Sequence, residues 1–108
     1  MKASYKLSRL AEQDVSSIAQ YIAQDDLDSA IYFTEEVERV CGLIAIMPEI
    51  GSSIPFIKSH QFNFFPAGHF QNFLIFYQIV VNAPKNKTVE IVRVLHKRRD
   101  IESLFEQE

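Results

Sequence analysis

The segment Val89-Glu90-Ile91-Val92-Arg93-Val94-Leu95-His96-Lys97-Arg98-Arg99-Asp100-Ile101 decides how the chain is read. It opens as a strand, because Val89, Ile91, Val92 and Val94 are β-branched and suit a pleated, packed surface. Period two places Val89, Ile91, Arg93 and Leu95 on one face, and Glu90, Val92, Val94 and His96 on the other. Both sets are largely apolar, so the strand is expected to be central and covered on both faces. Arg93 interrupts one of them; its guanidinium stays charged and needs a partner or solvent. Past His96 the chain turns basic through Lys97, Arg98 and Arg99, and Asp100 is placed to cap a short helix, Ile101 to Glu106. Two readings follow. The strand delivers a cationic cluster to one edge of a sheet as a binding feature, or the turn is merely solvated and Arg93 sits in a structural ion pair.

Moving towards the N-terminus, residues 82–87 read as a hairpin loop, and Asn72 to Val81 as a second, nearly all-apolar central strand. Tyr77 and Gln78 interrupt it and are expected beside the Arg93 strand. An aromatic ring, an arginine and a basic turn together suit the grip of a nucleotide by stacking and charge. Pro66-Ala67-Gly68 reads as a turn, Gln61 to Phe65 as a weaker strand, and Gly51 to His60 as a loop. Ahead of these, Ala30, Phe33, Val37, Val40, Ile44 and Met47 recur at spacings of three and four, the stripe of an amphipathic helix. Glu35, Glu36, Glu38 and Arg39 fall outside that stripe. Asp26 or Asp28 caps the helix, and Pro48 and Gly51 end it. Ala11, Val15, Ile18, Ala19 and Ile22 make an earlier helix behind an N-cap at Ser8, and Ser4 to Leu7 an edge strand. The order is β-α-α-β-β-β-α: one α+β domain over residues 1–108, an antiparallel helical hairpin packed on a small, mainly antiparallel sheet, with a short C-terminal helix.

The 108 residues are 47% apolar, enough for a modest core. No apolar run approaches the length of a membrane span, and Met1 to Lys6 has no hydrophobic signal core. The single cysteine, Cys41, excludes an internal disulfide and fits a reducing, cytoplasmic setting. Net charge is −3, unevenly spread: residues 1–50 carry four basic against nine acidic side chains, residues 85–99 six basic against Glu90 alone. The chain as a whole is therefore not a strongly basic nucleic-acid binder, and strong direct nucleic-acid binding is not expected. Only Gly42, Gly51 and Gly68 are glycines, too few for a phosphate loop. One cysteine with His60, His69 and His96 scattered gives no zinc spacing, so no metal or cofactor is expected. His60 and His69 read as solvated loop residues. Spacing assigns no nucleophile–base pair.

Several of these segments together resemble one family. Leu10-Ala11 and Asp14-Val15 open the first helix, Tyr21-Ile22 stand near its end, and Pro48-Glu49-Ile50-Gly51 follow the second. With Leu74-Ile75-Phe76-Tyr77 in a central strand, this order is similar to the RelE/ParE toxins of bacterial type II toxin–antitoxin modules, and the ending from Val89 to Ile101 resembles the ParE branch. The resemblance implies a toxin held inactive by a cognate, ParD-like DNA-binding antitoxin, as in plasmid stabilisation, and aimed at DNA gyrase. In that case Arg93, His96, Lys97, Arg98, Arg99 and Tyr77 are the candidate target-binding residues, and the protein does no chemistry of its own. RelE-type relatives instead cleave mRNA at the ribosome, which would make Arg93, His96 and Arg98 the catalytic candidates. The basic residues expected of such a nuclease are absent from Gln61–Phe65 and Phe73–Val81, and the C-terminal segment lacks its tyrosine. A third possibility is an antitoxin-paired remnant without toxicity.

Overall fold

The computed structural model describes residues 4–54, 62–83, 86–99 and 101. Strand β1 (Ser4–Leu7) leads into helix α1 (Arg9–Ala23) and helix α2 (Leu27–Ile46). A 3-10 turn (Pro48–Ile50) and strands β2 (Ser52–Ser53), β3 (Asn63–Ala67), β4 (Phe70–Ala83) and β5 (Asn86–His96) follow. The sheet runs β1-β5-β4-β3-β2. β1 lies parallel to β5, and the other pairs are antiparallel. The expected α+β architecture is what forms, with β4 and β5 central and β1 at an edge. Asp100 and residues 102–106, most of the expected last helix, lie outside the described residues. Ile101 is helical there and packs under the sheet.

The helices form where their caps and stripes put them. Ser8 accepts a hydrogen bond from the Ala11 N–H through its hydroxyl (3.0 Å), and Asp26 accepts from the N–H groups of Asp28 and Ser29. Ala11, Phe33, Val37, Val40, Cys41 and Ile44 bury themselves against Ile75, Tyr77, Val89, Ile91 and Val94 of the sheet. Met47 ends the stripe early: it is the C-cap of α2 and is largely exposed. The opposite sheet face carries a second, smaller core of Ile54, Phe62, Phe76 and Leu95, joined by Phe64, Leu74, Val92 and Ile101.

Three local departures from simple alternation shape the sheet. First, the β4–β5 register steps from Phe76 opposite Arg93 to Tyr77 opposite Ile91, leaving Val92 as an extra residue. This bulge inverts the side-chain phase. Val94 therefore joins Val89 and Ile91 under the helices, while Leu95 turns to the other face, contrary to strict period two. Second, Pro66 and Ala67 belong to β3 and not to the turn. The register shifts between them, at a site where proline's missing N–H costs the ladder little. The turn is Gly68-His69, with Gly68 at φ 60°, a conformation open to glycine. Third, the expected loop at 82–87 is mostly ladder: Val81 faces Lys87 and Ala83 faces Asn86. The segment expected as a plain loop after Gly51 also contains β2, a polar two-residue edge strand.

Candidate functional site

β5 ends at His96, opposite Phe73, whose ring it meets edge-on at 5.2 Å between centroids. Three backbone N–H groups then hold the basic turn, two through carbonyls and one through a ring nitrogen. The Lys97 N–H donates to the Asn72 carbonyl (2.8 Å) and the Arg99 N–H to the His96 carbonyl (3.0 Å). The Arg98 N–H donates to His96 Nδ1 at 3.1 Å, which places the proton of a neutral ring on Nε2. The side chains of Lys97, Arg98 and Arg99 all remain exposed. The result is a fixed backbone presenting three exposed cations at one end of the sheet.

Arg93 lies on the strand that leads there but faces another task. Its Nε donates to Asp14 Oδ2 at 2.8 Å and its Nη2 to Oδ1 at 3.0 Å, the fork geometry in which arginine–carboxylate pairs are strongest. The two side chains are 15% and 14% exposed. Asp14 also accepts the Val94 N–H (3.0 Å), and the Ser8 hydroxyl donates to the Val92 carbonyl (2.9 Å). β1 stops at Leu7, opposite Ile91, so past that point α1 supplies, through Ser8 and Asp14, what a neighbouring strand would otherwise give β5.

Tyr77 is fully buried under the helices. Its hydroxyl donates to the Pro48 carbonyl (2.5 Å) and accepts the Gly51 N–H (3.0 Å). Burial pushes the phenol pKa up. A Cβ on Gly51 would stand 2.3 Å from this hydroxyl, so Gly51 and Tyr77 form one close-packed lock on the turn after α2. The stacking face expected of Tyr77 is spent in the core. Of the six candidates, His96, Lys97, Arg98 and Arg99 come together, Arg93 is paired behind them, and Tyr77 is interior.

A polar cluster at the β3–β4 turn lies outside the candidates expected from the sequence. Glu36, expected outside the stripe, is only 4% exposed. It accepts Arg39 Nε (2.7 Å) and Nη2 (3.1 Å), and at Oε2 the His69 N–H and Nδ1 (both 2.9 Å). The Arg39 guanidinium and the His69 N–H hold its carboxyl down to about 2. The Tyr32 hydroxyl meets the same Nδ1; that nitrogen donates to Glu36 when it carries a proton and accepts from Tyr32 when it does not. The signal was available: Glu36 stands three after Phe33 and four before Val40, within the buried face. Asp14 was likewise visible as an acid beside the stripe residue Val15, one side chain that could neutralise a strand arginine.

Cys41 is buried, and burial pushes its thiol up to about 12, a small core residue in effect. Among the described residues, no helix is long and apolar enough to cross a membrane.

A two-helix hairpin laid over one face of a mixed sheet, with a cationic turn at the sheet's end, defines a small α+β domain that presents charge from a rigid edge. The sequence model of the ParE toxins of type II toxin–antitoxin systems (parDE) matches residues 5–101, and the chain belongs to that family. Its partner by family is therefore an antitoxin protein. A search of the curated proteins finds no match.

Proposed function

We propose that the protein acts as a ParE-type toxin that inhibits DNA gyrase by binding, without chemistry of its own, and that a ParD-like DNA-binding antitoxin neutralises it. The observation that carries this reading is the turn Lys97–Arg99. Its backbone is fixed by bonds to Asn72 and His96, and its three cations are exposed. Such an edge suits electrostatic docking to an acidic or phosphate-bearing partner. Arg93 supports the binding reading over the nuclease one. A phosphoryl-transfer site needs an arginine that can turn to a developing phosphorane, whereas Arg93 gives two donors to Asp14 on the helix side. The test pairs two assays on the purified protein: supercoiling by gyrase, and translation-dependent mRNA cleavage. Loss of supercoiling at toxin levels that leave mRNA intact is expected. Specific mRNA cleavage with unaffected supercoiling reverses the assignment in favour of the endoribonuclease.

A further inference from the structure

The Glu36 cluster holds more than the fold requires. A carboxylate placed in the buried face of α2 must be desolvated, and a hydrophobic residue of similar size serves stability as well or better. The β3–β4 turn is also adapted to it, because a Cβ on Gly68 would stand 2.1 Å from Glu36 Oε2. What Glu36 achieves is the placement of groups that face solvent. The side chain of Arg39 is 57% exposed and that of His69 73%. Tyr32 is exposed too, stacked on His69 with centroids 5.8 Å apart and tilted on Phe70 at 5.4 Å.

This cluster and the basic turn share one end of the molecule. A hollow of about 380 Å³ lined by His69, Phe70, Gln71, Asn72 and Phe73 lies along the start of β4. Its far end is where the Asn72 carbonyl receives the Lys97 N–H and Phe73 meets His96. His69 lines its near end; Tyr32 stacks on that ring, and Arg39 shares its partner Glu36.

We propose that Tyr32, Arg39 and His69, set in place by buried Glu36, form with the Lys97–Arg99 turn one continuous docking strip for an acidic surface on the toxin's protein target. The inference rests on the binding reading above and extends it to residues outside β5. Tyrosine and arginine are the side chains that most often carry interface energy. An arginine already fixed by a buried carboxylate loses less freedom on docking than a free one. Arg39 is balanced by Glu36 and α2 exposes acids, Asp28, Glu35 and Glu38 among them, so the strip's net positive charge comes from Lys97, Arg98 and Arg99, and the complement of that end is acidic.

The test uses the full chain with Tyr32→Ala and, separately, Arg39→Gln. Three quantities are read: the toxin dose that arrests growth, affinity for the antitoxin encoded beside it, and melting temperature. Tyr32→Ala removes the ring's contacts with His69 and Phe70 but leaves the Glu36–Arg39 pair in place, so it remains informative if Arg39→Gln loosens Glu36. Each variant is expected to need at least about tenfold more toxin for arrest, the loss of one interface anchor. Antitoxin affinity stays at the wild-type value, and each variant keeps a single cooperative melt. Wild-type arrest by both variants overturns the strip, as does a loss of antitoxin affinity that matches the loss of arrest. Because growth arrest does not presuppose gyrase, a wild-type toxin that arrests growth but spares supercoiling removes the gyrase assignment while the strip is still judged on its own variants.

Discussion

At the scale of single residues, the tightest constraint is between Gly68 and Glu36. Gly68 has φ 60° and no room for a Cβ beside Glu36 Oε2. Gly68→Ala must bear both the left-handed backbone, about 1–2 kcal/mol, and a clash with a charged oxygen that Arg39 and His69 hold in place. A loss of more than about 2 kcal/mol is expected, read from the urea midpoint at constant m-value. Glu36 also sets an acid limb. Its folded pKa, about 2, lies below the ordinary carboxyl value of 4.5, so the unfolded chain takes up the proton first. The stabilisation is complete above about pH 4.5 and drains away as pH falls towards 2. Glu36→Gln is expected to flatten the fall in melting temperature across that window. An unchanged slope in the variant would show that Glu36 does not set the acid limb.

At the scale of elements, the junction of α1 with β5 is the most informative. Arg93 and Asp14 are mostly buried and bonded twice to each other. Removing Arg93 takes away the charge that balances Asp14 and leaves that carboxylate its bond from the Val94 N–H. Arg93→Ala is expected to cost about 2–3 kcal/mol, somewhat under the range for fully buried pairs because some solvent reaches both groups. The double variant Asp14→Leu/Arg93→Leu is expected to lose less than the sum of the two single changes, a non-additivity that chemical denaturation measures directly. The same junction shows what sequence could and could not tell. The elements themselves were legible, because Ser8, Asp26 and the stripes of α1 and α2 are local signals with local consequences. The bulge at Val92 was not, since an extra residue in a uniformly apolar strand leaves no mark in its pattern. Strict period two, which takes no account of it, puts Leu95 on the wrong face. The burial of Glu36 could be read from its spacing, but the partners of Glu36 and Tyr77, namely His69, Pro48 and Gly51, are brought to them only by the folded chain.

At the scale of the whole molecule, the sheet divides labour between its interior and its end. The cations at 97–99 touch little, so replacing all three by alanine (Lys97→Ala, Arg98→Ala, Arg99→Ala) is expected to leave the melting temperature unchanged. Growth arrest should weaken markedly, and what remains of target binding should depend less on salt. Full toxicity in that variant would make the turn a solvated face. The order of elements and the α+β class could be read in advance because each helix carries one apolar stripe and both central strands are apolar on two faces, leaving few ways to bury them. Of the two edges, Ser4 to Leu7 could be read in advance and β2 could not, being two serines long with no hydrophobic pattern to announce it.

The parallel pairing of β1 with β5 joins Ser4 to Thr88 and Leu7 to Ile91. Contacts between such distant parts of a chain are slow to close, because the intervening loop must be gathered first. During synthesis the consequence is sharper. Until Thr88 to Ile91 have left the ribosome, β1 has no strand to pair with and α1 has neither Arg93 nor the Val94 amide to hold. The nascent chain carries its helical hairpin over an unfinished sheet, with apolar surface open to chaperones and proteases. Strand β5 therefore brings the pairing with β1 and the cationic turn together, so the exposed cations do not appear before the body that supports them.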